Sequence, residues 1–198
     1  MSKHGEFSGE PETRWLTEPD APDRRMYLLK QFTFTDPKGN EWQVDSGYDK
    51  MDGASIPRAL WTLVGSPYTG DYRRASIVHD KACDDAHGDK GKRRAADRMF
   101  YHACRVGGCS IRQATILYVG VRIGAALPDV PSWRLAALDD EPGPRLYTTR
   151  DEDQLVNDFR VVAERVLNQG ETDDPSELEA RTTEALAIVT GVDAERLH

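Results

Sequence analysis

Three side chains in the middle of the sequence have types and spacing that could support proton transfer or cation binding. His79 and Asp80 are adjacent, and Asp97 lies 18 residues beyond His79. The segments around them predict two helices that turn near Gly88, and positions 79 and 97 are equally far from that turn. In an antiparallel pair, His79 would therefore face Asp97. A carboxylate beside an imidazole fixes its tautomer and stabilises its charged form, as a general base requires.

Other roles for these residues stay open at this point. A buried, hydrogen-bonded core pair is the alternative interpretation of His79 and Asp97. Asp80 projects about 100° away from His79 around the helix and could bind a cation. Asp52 could cap the short helix predicted at Ile56. Solvated charges are expected at Arg58, Arg93 and Arg94.

A zinc site is a further alternative, because His79 and Cys83 share a helix face at a spacing of four. Within the predicted hairpin, however, Cys104 lies about 16 Å along the helix from Cys83, so the two sulfur atoms cannot share an ion. Cys109 completes an odd and sparse set of three cysteines. Such a set is typical of free thiols in a reducing compartment.

The elements that must position these residues follow from the hydrophobic pattern. Apolar residues three and four apart predict helices at 71–86 and 93–105, and Ser110 begins a third, mostly buried helix that Pro128 ends. Residues 26–35 and 41–44 have strand composition and flank a turn, which predicts a hairpin. The predicted fold class is α+β, mainly α, with a small N-terminal hairpin and a C-terminal acidic helical hairpin.

Composition divides the chain into four predicted segments. They are an extended leader at 1–24, a core at 25–128, a proline-rich linker at 129–149 and an acidic helical tail at 150–198. Residues 151–198 hold 13 Asp and Glu against 4 Arg. This tail is suited to docking on a protein partner or to a place in a virion. Because it has its own helical pattern, its deletion is predicted to leave a folded core.

The overall composition restricts the class of protein. The chain has 198 residues, a net charge of -8 and a mean hydropathy of -0.64, and we find no apolar run of the roughly 20 residues that a membrane-spanning helix needs. An acidic balance disfavours a nucleic-acid partner. The first 20 residues lack the apolar segment of a secretory signal, so a cytoplasmic or virion-associated protein is expected.

Two stretches of the sequence resemble known families. Residues 75–80 (ASIVHD), followed by ADRMF at 96–100, are similar to the core of the phospholipase A2 superfamily, including its parvoviral capsid branch. Upstream, DGASIPR at 52–58 resembles an uncharacterised phage and bacterial family with the signature TDGASIPR, then HD, then ADxxF. The second resemblance spans residues 28–125 and includes all three motifs in order.

The phospholipase resemblance implies a function and a set of roles. His79 would activate water for attack on a phospholipid acyl ester, and Asp97 would orient its ring. Asp80 would bind calcium, together with Asp52 and Gly53 in the glycine-bearing loop at 48–54. Cys83 stands where the phospholipases usually carry a tyrosine that holds the orienting aspartate. The other function that we consider is a non-catalytic, phage-derived structural or interaction protein that retains the fold.

Overall fold

The computed structural model describes residues 2–17, 25–51, 53, 56–66, 69–126 and 149–191. In this part of the chain, six helices and five short strands confirm an α+β fold that is mainly α. The chain divides into two compact units. Unit 1 consists of Met1–Ala54 and Pro67–Ser110, and unit 2 of Ser55–Ser66 and Ile111–His198.

The strands of unit 1 form two small antiparallel sheets. One has the order β1-β4-β5 and the other pairs β2 with β3. The strands are β1 (Glu6–Phe7), β2 (Thr13–Trp15), β3 (Met26–Leu28), β4 (Phe32–Thr35) and β5 (Glu41–Val44). The predicted hairpin is confirmed between β4 and β5, where Phe34 pairs with Trp42.

The sequence predictions for the first 35 residues were wrong in two respects. Residues 26–35 form two strands in different sheets rather than one strand. Ordered structure begins before Met26, because β1 and β2 lie in the expected leader and pair with β4 and β3. The polar sequence of this segment gives no sign of the pairing, since each strand is only two or three residues long and depends on a partner distant in sequence.

Asp36 fixes the turn of the β4–β5 hairpin. Its carboxylate accepts the backbone N–H groups of Lys38 and Asn40 at 2.9 and 3.0 Å, the Asn40 side chain at 2.9 Å and the Trp42 indole at 3.2 Å. Burial raises the pKa of Asp36, but these hydrogen bonds favour the ionised form and lower its pKa overall.

Two helices of unit 1 form the hairpin that carries the candidate site. They are α2 (Arg73–Ala86) and α3 (Lys90–Gly107). Helix α2 ends because His87 adopts a left-handed conformation with φ 44°, and Gly88 follows with φ 83°. Helix α3 begins at Asp89, whose side chain accepts the Lys92 N–H at 3.0 Å. The turn therefore lies where the sequence predicts it.

The described part of unit 2 holds a short 3-10 turn at Arg58–Leu60 and four helices. The helices are α1 (Trp61–Val64), α4 (Ile111–Ala126), α5 (Thr149–Asn168) and α6 (Pro175–Thr190). Helix α4 packs against both α5 and α6, and a side chain at Gly120 would contact Ile56 at 3.4 Å. Thus α4 groups with the acidic helices, whereas the sequence places it in the core at 25–128. The predicted segment boundaries and the partner of the acidic helices stay predictions.

Some sequence predictions fall outside the described residues. These are the proline-rich linker as far as residue 148, residues 18–24 of the leader, and the site residue Asp52. Across the helices that are described, none combines the length and apolar character needed to cross a membrane.

Candidate functional site

The centre of the site is a direct contact between the two helices of the α2–α3 hairpin. His79 Nε2 and Asp97 Oδ1 lie 2.8 Å apart, and both side chains have no exposed surface. The contact expected from their equal distance to the turn is therefore present. Because Nε2 faces a carboxylate, this nitrogen carries the proton and donates to Asp97.

Cys83 adds a third side chain to this contact. It lies four residues after His79 on the same face of α2, with Sγ 3.6 Å from Nδ1 and 3.5 Å from Nε2. Unlike its two neighbours, the cysteine is partly exposed. The spacing of four is visible in the sequence, where it suggests a zinc ligand rather than a partner of the imidazole.

Arg93 is a member of the site for which the sequence prediction was wrong. Its Nε lies 3.2 Å from Asp97 Oδ1, the same oxygen that receives His79. The expectation of a solvated charge fails because Arg93 precedes Asp97 by one helical turn, which places the guanidinium over the carboxylate. The i, i+4 spacing is the signal in the sequence that could have revealed the pair.

We call the group formed by His79, Cys83, Asp97 and Arg93 the array. Its electrostatics favour a charged imidazole. Burial lowers the pKa of His79, while the neighbouring Cys83 sulfur and the hydrogen bond to Asp97 raise it. Together these effects raise the pKa of His79 from 6.5 to about 9. At neutral pH the ring is therefore an imidazolium that donates from both nitrogen atoms. The Phe100 ring, 4.7 Å from the imidazole between centroids, closes another side of the pocket.

Asp80 connects the glycine-bearing loop to α2. Its Oδ2 accepts the Gly53 N–H at 2.9 Å, and one helical turn further Asp84 Oδ2 accepts the Tyr48 hydroxyl at 2.6 Å. The DG and HD motifs are therefore adjacent in space. The hydrogen bond of Asp80 holds the loop backbone to the helix, and Asp80 is only 1% exposed.

Asp80 is not part of the described group of side chains that could share a metal ion, and the calcium ligand expected there stays a prediction. Calcium takes about six to eight oxygen ligands, whereas the Asp80 carboxylate already accepts a backbone N–H. In the described ranges, the group of His, Cys, Asp or Glu side chains close enough to share an ion is His79, Cys83 and Asp97. That group offers one nitrogen, one sulfur and one carboxylate, and it includes neither Cys104 nor Cys109.

A surface groove near the hairpin is separate from the array. It has a volume of about 200 Å³ and is lined by β5, the outer side of α2 and the start of α3. Val78 and Ala82 line it, and His79, Cys83 and Asp97 do not.

A protein family of unknown function matches the region of the chain that holds the three motifs. Residues 26–121 match DUF1353, a protein family of unknown function. The DUF1353 match contains every residue of the array described above, as well as Gly53 and Asp80. This match supports the resemblance to an uncharacterised family.

Two relatives come from Sinorhizobium fredii (strain NBRC 101917 / NGR234). The uncharacterized protein y4jT is 32% identical over 171 residues, which cover 77% of this chain and 47% of y4jT. The uncharacterized protein y4iH is 38% identical over 100 residues, which cover 50% of this chain and 40% of y4iH. The chain thus spans less than half the length of these relatives, and the similarity to y4jT extends beyond the DUF1353 match. No solved structure matches the chain.

Proposed function

We propose that this protein hydrolyses acyl esters, with the His79–Asp97 pair as its proton-transfer group. The observation that carries the proposal is the 2.8 Å contact between His79 Nε2 and Asp97 Oδ1 inside the helix hairpin. A buried carboxylate that holds one ring nitrogen leaves Nδ1 to exchange a proton with a reacting group. Such an arrangement is the preparation that acyl transfer requires.

Phospholipid is the substrate class that the motif resemblance favours. The HD and ADxxF motifs supply His79 and Asp97, which would keep the roles of proton carrier and orienting carboxylate. A phage-derived enzyme or a bacterial effector is the setting that we propose. No step of the proposed reaction passes through a calcium ion at Asp80, whose carboxylate accepts the Gly53 N–H.

Burial of the pair favours a second candidate, a non-catalytic structural or interaction protein. His79 and Asp97 are completely enclosed, and Asp80 clamps a loop to the same helix. Buried polar groups of this kind also occur where their only task is to hold elements together. In that case, replacement of His79 would change stability and there would be no activity to lose.

Release of fatty acid from mixed phospholipid vesicles, with calcium and with EDTA, tests the proposal. Removal of a general acid or base commonly costs about a hundredfold or more in rate, so His79→Gln should abolish hydrolysis. Exposed His87 at the end of α2 provides the control, since asparagine tolerates its left-handed conformation. Equal hydrolysis by the wild type, His79→Gln and His87→Asn would overturn the enzyme proposal.

A further inference from the structure

We propose that Cys83 is the nucleophile of this site and accepts the acyl group as a thioester. This inference rests on the proposed acyl-ester hydrolysis and deepens it. The three side chains form one compact group, whose nitrogen, sulfur and oxygen atoms lie within 4.8 Å of one another. A thiol, an imidazole and a carboxylate are the groups that nucleophilic catalysis by cysteine uses.

The distances support an activated thiol. Sγ lies 3.6 Å from Nδ1, within the range of a hydrogen bond to sulfur, while Nε2 is held at 2.8 Å by Asp97. Sγ also lies 3.5 Å from Nε2, so the sulfur atom is nearly equidistant from the two ring nitrogens. A Cys83 thiolate would form an ion pair with the neighbouring His79 imidazolium, and the buried carboxylate of Asp97 stabilises that imidazolium.

Exposure distinguishes Cys83 from the other two members. His79 and Asp97 have no exposed surface, whereas Cys83 is partly exposed. Cys83 is therefore the member of the group closest to solution, and we infer that a substrate would meet this residue before the imidazole. The atom that meets the carbonyl carbon is Sγ, and the ring behind it supplies and removes protons.

The same geometry argues against a metal ion between these groups. Zinc ligands about 2.0–2.2 Å from a tetrahedral ion are separated by about 3.3 Å, but Nε2 and Oδ1 are only 2.8 Å apart. The Arg93 guanidinium also contacts Asp97 Oδ1 at 3.2 Å. A second cation on that oxygen would be opposed by the first.

The reaction balances with water as the only co-reactant. Sγ attacks the ester carbonyl carbon, the acyl C–O bond breaks, and the leaving alcohol takes a proton from the His79 imidazolium. The neutral imidazole then removes a proton from water, and the resulting hydroxide attacks the thioester carbonyl. The C–S bond breaks, the fatty acid leaves, and the thiolate and imidazolium are restored.

Alkylation by iodoacetamide tests the activated thiol without any substrate. In this reaction a C–S bond forms and iodide leaves, and peptide mass spectrometry reports each cysteine separately. We expect Cys83 to react at pH 6 about tenfold faster than a free thiol such as glutathione. Cys104 is the internal control because it is buried and burial raises the pKa of its thiol.

Variants test whether the reactivity of Cys83 depends on the carboxylate of Asp97. Asp97→Asn should slow alkylation of Cys83 at pH 6 by about tenfold and move its pH profile towards that of glutathione. Asp85→Asn removes an exposed carboxylate from the same helix and should leave the rate unchanged. Circular dichroism of each variant confirms that the hairpin is folded. A wild-type Cys83 that reacts with the pH profile of glutathione would overturn the proposal without use of any variant.

A second experiment traps the proposed thioester on Cys83. The wild type is mixed with p-nitrophenyl butyrate and quenched in acid, and the Cys83 peptide should carry a butyryl group that hydroxylamine removes. Cys83→Ala should lose vesicle hydrolysis, whereas Cys109→Ala should keep it if folded. If Cys83→Ala hydrolyses the vesicle phospholipids as fast as the wild type, the proposal that Cys83 is the nucleophile is overturned, while the proposed function stands.

The converse result is also informative. If the wild type hydrolyses no ester but Cys83 shows Asp97-dependent alkylation, acyl-ester hydrolysis is overturned and the activated thiol is supported.

Binding of zinc to His79, Cys83 and Asp97 is the competing explanation of this group. If added zinc binds stoichiometrically, blocks alkylation of Cys83 and raises the melting temperature, a metal site replaces the nucleophile.

Discussion

Asp80 accepts the backbone N–H of Gly53 at 2.9 Å, and this buried bond joins the glycine-bearing loop to the helix of the candidate site. The bond gives the aspartate of the HD motif a structural role that its neighbour His79 does not share. It also shows how two motifs separated by 27 residues come to occupy one place.

Replacement of Asp80 by alanine should destabilise the fold. The Gly53 N–H would remain buried without its acceptor, and such a loss costs about 1–3 kcal/mol. Urea denaturation at pH 7 measures the free energy of unfolding. Asp85→Ala provides a matched control, because its exposed pair with Lys81 is worth at most about 1 kcal/mol. Equal stability of the two variants would contradict a stabilising role of the hydrogen bond between Asp80 and Gly53.

Calcium should have no effect on the melting temperature of the wild type. An ion that binds only the folded state raises stability in proportion to the logarithm of its concentration, and the Asp80 carboxylate is already engaged by the Gly53 N–H. Thermal melting in EDTA and in millimolar calcium measures the effect. If calcium raises the melting temperature and Asp80→Asn removes the increase, the calcium ligand expected from the phospholipase resemblance is correct.

Asp97→Asn should lower the free energy of unfolding by about 1–3 kcal/mol at neutral pH. Both His79 and Arg93 lose an anionic acceptor, although an amide oxygen still occupies its place. Urea denaturation beside Asp85→Asn separates this loss from the general effect of removing a charge. A change of less than about 0.5 kcal/mol, the size expected at an ordinary surface position, would contradict the buried ion pair.

The stability of the fold should decrease between pH 6.5 and pH 9. The pKa of His79 is raised from 6.5 to about 9 in the folded state, so below 6.5 both states bind the proton and the stabilisation is fully present. As the pH rises, the unfolded state loses the proton first. The contribution, roughly 3 kcal/mol, is gone above pH 9. Among the described residues, Cys83 and Asp97 are the titratable groups that act on the ring, and Arg93 contacts Asp97.

Urea denaturation at several pH values tests this dependence. The difference in free energy of unfolding between the wild type and His79→Gln should shrink as the pH rises from 6.5 to 9. His87→Asn should follow the wild-type curve, because His87 is exposed and lies outside the array. A difference that is constant with pH would show that the folded state does not raise the pKa of His79.

Deletion of residues 150–198 should weaken the cooperative thermal transition. The sequence predicts a separable tail, but α4 packs against α5 and α6 in the same unit. Their loss would expose apolar side chains of α4, which carries the buried residues Leu117, Val121 and Ile123. Differential scanning calorimetry of the truncated and full chains decides between the two expectations.

The helices are well predicted from the sequence because their information is local. The turn at Gly88 and the period of the apolar residues are enough to place His79 opposite Asp97. Strand pairing is harder to predict, since β1 joins β4 only through contacts about 30 residues apart. Phe7 contributes to that pairing by packing 5.4 Å from the Phe32 ring and 5.0 Å from the Phe34 ring.

Two members of the site escape prediction for a different reason. Cys83 and Arg93 each lie four residues from a partner that the sequence already identifies, so their positions are implied by helix geometry. Their chemical types suggest other roles, a zinc ligand and a solvated charge. Only the burial of His79 and Asp97, which depends on the packing of both helices, shows that these neighbours share a single enclosed site.

The thiol and the imidazole belong to one turn of α2, whereas the carboxylate comes from α3. The distance between Cys83 and His79 is therefore set by helix geometry, which is stiff, and the distance from His79 to Asp97 by side-chain packing between two helices. A small slide of one helix along the other would change the proton affinity of the ring without moving the sulfur away from it. Substitutions at the hairpin interface, for example at Phe100, would then change the reactivity of the Cys83 thiol, while the sulfur and the imidazole keep their relative positions.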